Sequence, residues 1–267
     1  MKMNYIWKEW KESIRSKGLW LSLAIMIIVS LLMLSRSSGH GVEQGYYILI
    51  MNLFESLLYF IPILCLFLGA FSVFQEKEQK TLVMLLTKQE STFTFLFKKS
   101  IALQTVLIVP VFIWFFLYLV PLKFFFQVQL TDYGFLLATI IGLMLVFTQL
   151  GVLIGSYSRS RMQIAGIAVI IWFYFFFLHD FALLSVLPNI THDNVQLFSV
   201  AYFLNPIQTV RMFLESGLGI YSFGNMSRLL ESFMWLTPSL FFLFNLLFWL
   251  ILSFAGAVLF HRKEGFE

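Results

Sequence analysis

Six apolar runs dominate this chain, and each is long enough to cross a bilayer: Gly18–Leu34, Tyr47–Phe74, Ser100–Leu122, Tyr133–Ser156, Gln163–Leu187 and Pro238–Phe260. A helix rising ~1.5 Å per residue needs about 20 apolar residues to cross roughly 30 Å of hydrocarbon. In lipid every backbone donor and acceptor must be satisfied inside the protein, so runs of this kind fold as helices. The expected fold is an all-α membrane protein with six transmembrane helices. The 267 residues are 60% hydrophobic and 19% aromatic, and the polar segments between the runs are too short to bury a soluble core. One membrane domain, residues 1–267, is therefore expected, and any catalytic or ATPase module belongs to another chain.

The segments between the runs alternate in charge. With the N-terminus inside, the inner segments hold Lys2, Lys8, Lys11, Arg15, Lys17, Lys77, Lys80, Lys88, Lys98, Lys99, Arg159, Arg161, Arg262 and Lys263. The outer segments hold only Arg36, Lys123, Arg211 and Arg228. The excess of Lys and Arg places both termini in the cytoplasm of a cell-membrane protein. The basic inner face meets anionic lipid headgroups, so the net charge of +4 is no nucleic-acid signal. The first run lacks a small-residue cleavage site and reads as a retained helix. A single cysteine, Cys65, excludes an internal disulfide and a CxxC pair.

Three shorter elements follow from spacing. In residues 3–16 the apolar side chains Met3, Ile6, Trp7, Trp10 and Ile14 fall on one helical face, with Lys8, Lys11, Glu12 and Arg15 around the rest. That pattern predicts an amphipathic helix lying in the membrane interface. Between the second and third runs, charged flanks enclose Thr81–Leu86, an apolar stretch far too short to span. It suits a short helix that lies on the inner surface or docks into another protein. Beyond the fifth run, Asn205-Pro206 has the signature of a helix start and Gly217 of a stop. Ile207, Val210, Phe213 and Leu214 share one face of that helix, Arg211 and Glu215 form an i,i+4 pair, and Leu229–Leu236 is a second short apolar stretch. These pieces read as short helices that dip into or cap the outer end. The tight loop Tyr157–Met162, with Arg159 and Arg161, fits either a small second contact or a plain positive-inside hairpin.

Enzyme signatures are absent: there is no GxSxG, HExxH or Walker A sequence. The 11 methionines form no MxxM cluster, four of them (Met26, Met33, Met51 and Met144) lie in the apolar runs, and no metal site is expected. Glu55 and the pair His179-Asp180 are the ionisable groups inside spans, which makes them candidate transport-path residues. Gly151 and Gly155 form a GxxxG in the fourth run, a spacing that lets helices approach closely.

Taken together, the chain resembles the membrane subunits of type-2 ABC exporters. The resemblance rests on Glu76–Thr87 as the coupling region, on Phe203–Met212 as a Leu-Asn-Pro…Arg element, and on the basic end Phe260–Lys263. Phe175–Asp180 followed by Ala182–Leu184 is most similar to the fifth span of NosY permeases. Those are the membrane subunits of NosDFY complexes, which mature the copper sites of nitrous oxide reductase. Where the family usually has glycine before the coupling threonine this chain has Gln79-Lys80, and where it has proline after that helix this chain has Lys88-Gln89.

The resemblance implies a non-catalytic permease working as a homodimer on two ABC ATPase subunits, with ATP and Mg held by the ATPase and no cofactor on this chain. It implies ATPase coupling through Glu78, Thr81, Leu82, Met84, Leu85 and Thr87. Asn205, Pro206 and Arg211 would contact an outer, NosD-like partner. The alternative is a type-2 exporter of peptide, antibiotic or lipid.

Overall fold

The computed structural model describes residues 7, 10, 11, 14, 17–39, 41–78, 91–191, 193–219 and 235–264. Helix α1 is Lys17–Ser37, α2 Val42–Glu78, α3 Thr92–Phe125 and α4 Leu130–Tyr157. The fifth span is built from α5 (Arg161–Phe173), a π-helical turn (Tyr174–Leu178) and α6 (His179–Val186). Two short helices follow, α7 (Val195–Leu204) and α8 (Pro206–Gly217), and α9 (Pro238–Glu264) is the sixth span. Six helical segments are long and apolar enough to cross a membrane, at all six expected places, and no strand occurs among the described residues. The chain is a multi-pass, all-α membrane protein.

Spans two and three are longer than their apolar runs. α2 has 37 residues and α3 has 34, which at ~1.5 Å each is roughly 50–55 Å and exceeds the hydrocarbon layer. The extra turns carry the charged residues Glu76–Glu78 of α2 and Lys98-Lys99 of α3. What the sequence presents as one inner segment, Gln75–Lys99, is thus mostly the ends of two helices, and only residues 79–90 between them lie outside the described residues. The predicted coupling residues Thr81, Leu82, Met84, Leu85 and Thr87 fall among them, and Leu229–Met234 of the second outer stretch also lies outside the described residues. Of the interfacial helix, residues 7, 10, 11 and 14 are described and are helical, with Trp7 exposed.

α4 is the central stave. Of its most apolar window 72% is buried, against 17% for the fifth span and for α9. Its closest partner is α2, and glycine explains why. A Cβ on Gly151 would lie 2.6 Å from the Leu66 carbonyl oxygen, and one on Gly69 would lie 2.6 Å from that of Thr148. Only a missing side chain lets the two backbones meet this closely. The GxxxG of the fourth run therefore packs two spans of one chain. Tyrosines tie α1 and α3 to the pair through long-range hydrogen bonds: Tyr118 of α3 donates to the Ser30 carbonyl of α1 at 2.7 Å and Tyr133 of α4 to the Phe115 carbonyl of α3 at 2.7 Å. Tyr46 donates to the Gln129 carbonyl at 2.9 Å.

The two ends of the bundle differ. The end where α2, α4 and α9 stop and α3 and α5 start carries the concentrated basic residues and is called the basic end below. The short helices α7 and α8 close the other end.

Candidate functional site

At the closed end, polar side chains of spans two and five converge on α8, and those of span six on the end of α7. Asn205 caps that helix: its Oδ1 accepts from the Ile207 amide at 2.9 Å, and Pro206 occupies the first turn, where its missing N–H costs nothing. The same side chain is 1% exposed and donates through Nδ2 to the Phe175 carbonyl, inside the π-helical turn, at 2.8 Å. It also meets His179 Nδ1 at 3.1 Å. His179 Nε2 faces the Ala201 carbonyl at 3.0 Å. A carbonyl only accepts and an amide NH2 only donates, so these partners assign the ring a proton on Nε2 and a lone pair on Nδ1. A π-turn inserts a residue and re-aims the groups around it, and turns of this kind recur at functional sites. Here the turn presents both a carbonyl and a histidine to one asparagine.

One turn further along α8, Gln208 donates to both Asp180 oxygens, at 2.7 and 2.8 Å, while its own Oε1 accepts from Tyr202 at 3.1 Å. Arg211, another turn on, pairs with Glu55 of α2 at 3.3 Å. The spacing Asn205, Gln208, Arg211 is i, i+3, i+6, a stripe along one helix, and each member grips a different group. Of the expected apolar face, Ile207, Val210 and Leu214 are buried in the core, while Phe213 is half-buried and stacks on Phe242 of α9. From the sixth span Asn245 donates to the Phe203 and Leu204 carbonyls, at 2.6 and 3.1 Å, and Trp249 donates to Leu204 at 2.8 Å. The end of α7 is thereby tied down as well.

All six residues singled out at this end of the sequence come together. Glu55, His179 and Asp180 face Arg211, Asn205 and Gln208, so the ionisable groups at membrane depth are satisfied by the short helix. Gln208 and Asn245 were not singled out. Gln208 shares the stripe of Asn205 and Arg211, and Asn245 is the one amide in the apolar run of α9; both signals were present. α7 itself also escaped the sequence reading, because a 10-residue apolar run is too short to span and has no distinctive cap.

At the basic end, Glu78 does not stand alone. It closes α2 and pairs with Arg161 of α5 at 2.6 Å, between side chains 46% and 69% exposed. Lys77 donates to the Ser156 carbonyl of α4. Deeper, Glu76 and Lys99 form an ion pair at 2.9 Å whose side chains are only 7% and 2% exposed. Two helices of a hairpin place residues near the turn at equal depth, which is how a charge closing α2 meets a charge opening α3. The loop Tyr157–Met162 is ordered by Ser160, which caps α5 through the Gln163 amide at 3.2 Å. α2 is thus joined to α3, α4 and α5 immediately beside residues 79–90.

Among the described residues no three His, Cys, Asp or Glu side chains group as a metal site, and Cys65 is buried as a free thiol. The family model described as "ABC-2 family transporter protein" matches residues 3–265, nearly the whole chain. No curated protein matches it.

Proposed function

This chain belongs to the ABC-2 family of transporter proteins, and from that premise we propose that it is the permease subunit of an ATP-driven complex of the cell membrane, with its basic end cytoplasmic. An ABC ATPase is the partner the family implies. In our reading two copies of the chain stand on two ATPase subunits, and ATPase closure pushes on residues 79–90.

The observation that carries this reading is that one helix connects both ends. α2 begins its inner connections at Glu76–Glu78 and holds Glu55 23 residues earlier, roughly 35 Å away at ~1.5 Å per residue. Glycine packing locks α2 to α4, so the pair moves as a body, as rigid-body switching requires. At the far end Glu55 hands that motion to Arg211, and so to α8. Force applied beside Glu78 therefore has a continuous route to the short helices that close the bundle.

The finer assignment, to copper-site maturation of nitrous oxide reductase with a NosD-like protein outside, draws its support from Phe175–Asp180, the segment similar to the fifth span of NosY permeases. Asn205 and Gln208 join that segment to Phe203–Met212, the Leu-Asn-Pro…Arg element of the wider family. Export of a peptide, antibiotic or lipid is the other reading.

Purification of the tagged chain in mild detergent from its source cell tests the proposal. The expected result is co-purification of an ABC ATPase, lost when Leu82, Met84 and Leu85 are changed to charged residues. An ATPase that stays bound to that variant would remove the coupling assignment. A chain that never carries an ATPase would remove the permease reading. A co-purifying periplasmic copper-handling protein would select the copper reading over general export.

A further inference from the structure

A groove of about 640 Å³ runs along the bundle's side between α3 and α9, with α4 as its floor. It lies at the basic end and opens toward lipid. Phe93, Phe97 and Ile101 form one wall, and Ile251, Phe254 and Val258 form the other. The size falls within the roughly 300–1,000 Å³ typical of ligand sites.

The floor is not apolar. Gln149 of α4 lies there, 2% exposed, together with Gln104 and Ser100 of α3. Gln104 donates to Gln149 Oε1 across 3.4 Å, a long bond, and Gln149 Nε2 has no partner among the described residues. The Ser100 hydroxyl, also buried, likewise has none. Buried polar groups are hydrogen-bonded in the great majority of proteins. Inside a membrane the omission is costlier, because no water is at hand to make up the bond. Two buried donors lining one lipid-facing groove therefore point to a ligand that brings its own acceptors.

Depth and charge narrow its chemistry. Gln104 lies five residues beyond Lys99, roughly 8 Å at ~1.5 Å per residue, and Ser100 directly follows Lys99. Lys98 opens the same stretch of α3, and Arg262 and Lys263 occupy the last turns of α9. The polar floor thus sits just beneath a basic belt. A phospholipid has this order of parts: an anionic headgroup, ester carbonyls a few Å below it, then acyl chains. We propose that the groove binds one anionic phospholipid of the leaflet at the basic end, its ester carbonyl accepting from Gln149 and Ser100 and one chain lying along Ile101, Leu250 and Ile251, below the contact of Phe97 with Phe254. Basic residues attract anionic lipid at the membrane surface in general. This site adds a walled groove and buried donors. It goes beyond the permease reading and does not depend on it, since the groove belongs to a single copy of the chain.

The test places the full chain in nanodiscs containing a trace of phosphatidylglycerol with a photoreactive group on one acyl chain, and maps the labelled peptides. The expected label concentrates on residues 93–104 and 250–259. It falls at least fivefold in Ala255→Trp, which fills the groove from its lipid-exposed lip, and at least threefold in Gln149→Leu. Monodispersity of each variant on gel filtration checks that it folds, and the Ala255 variant keeps the test open should the Gln149 variant fail that check. The same probe built on phosphatidylcholine is expected to label at least threefold less. Label spread evenly over all spans, or unaltered by Ala255→Trp, overturns the site. Undiminished label in a folded Gln149→Leu overturns the carbonyl contact, and equal labelling by both headgroups overturns the preference for an anion. Protection of the groove in a complex with another protein, with no lipid bound, assigns it to a protein partner and overturns the proposal.

Discussion

The two ends of this bundle are held together by different chemistry. At the basic end the fasteners are charges: Glu76 with Lys99, Glu78 with Arg161. At the closed end they are mainly amides, with Asn205, Gln208 and Asn245 each bonded across helices, beside the partly exposed ion pair of Glu55 with Arg211. At the basic end the Glu78–Arg161 pair is largely exposed, where charge costs little, whereas Glu76 and Lys99 are buried and each depends on the other. At the closed end the neutral amides of Asn205 and Asn245 satisfy backbone carbonyls with no ion to desolvate, and Gln208 holds the Asp180 carboxylate. α2 and the fifth span contribute to both, so a change at one end is felt by elements that form the other.

The comparison is broken most severely by Lys99→Met. It leaves the Glu76 carboxylate buried opposite an apolar side chain, a loss of about 3–5 kcal/mol for a broken buried pair. The variant should show the largest fall in thermal midpoint in mild detergent, and Glu76→Leu added to it should recover most of the loss. A single variant as stable as the parent would mean that the pair is not desolvated.

Next comes Asn205→Ala, which removes a helix cap and a buried bond to the Phe175 carbonyl, together about 2–3 kcal/mol. Hydrogen exchange should quicken in 174–186 and 206–217 while α2 and α3 stay protected. Exchange quickening uniformly would deny that this end is a separate unit.

Arg211→Met tests the join between α2 and α8. The pair is partly exposed, so stability should fall by only about 1 kcal/mol. Coupling should suffer more than stability: a cysteine label on α8 should stop responding to nucleotide in the assembled complex. Restoration by the exchange Glu55→Arg with Arg211→Glu would sharpen the assignment to charge pairing.

The smallest effect is expected for Arg161→Ala. Its pair with Glu78 is largely exposed, so stability should change by about 0–1 kcal/mol and less still at high salt. A drop comparable to that of Lys99→Met would erase the distinction between the deep and shallow pairs.

Much of this architecture was legible from residue order. The six spans were, because apolar length against bilayer thickness leaves few choices. So was α8, whose Asn-Pro start and helical face both appear in the fold. Glu55, His179 and Asp180 stood out as ionisable groups in apolar runs, and Asn205 and Arg211 through the helix start and the Leu-Asn-Pro…Arg element, but their pairing did not, since they lie on three elements far apart in sequence. The buried bond between Glu76 and Lys99 was hidden in what read as one long charged segment.

Sequence alone determined that this chain spans a membrane six times and which side gathers the basic residues, because hydrocarbon thickness and the cost of burying charge act on local composition. Which polar groups meet, that glycines press α2 against α4, and that a groove beneath the basic belt holds unpartnered donors were decided by the tertiary structure. Those features depend on how helices distant in sequence approach one another, and that distance is set by packing.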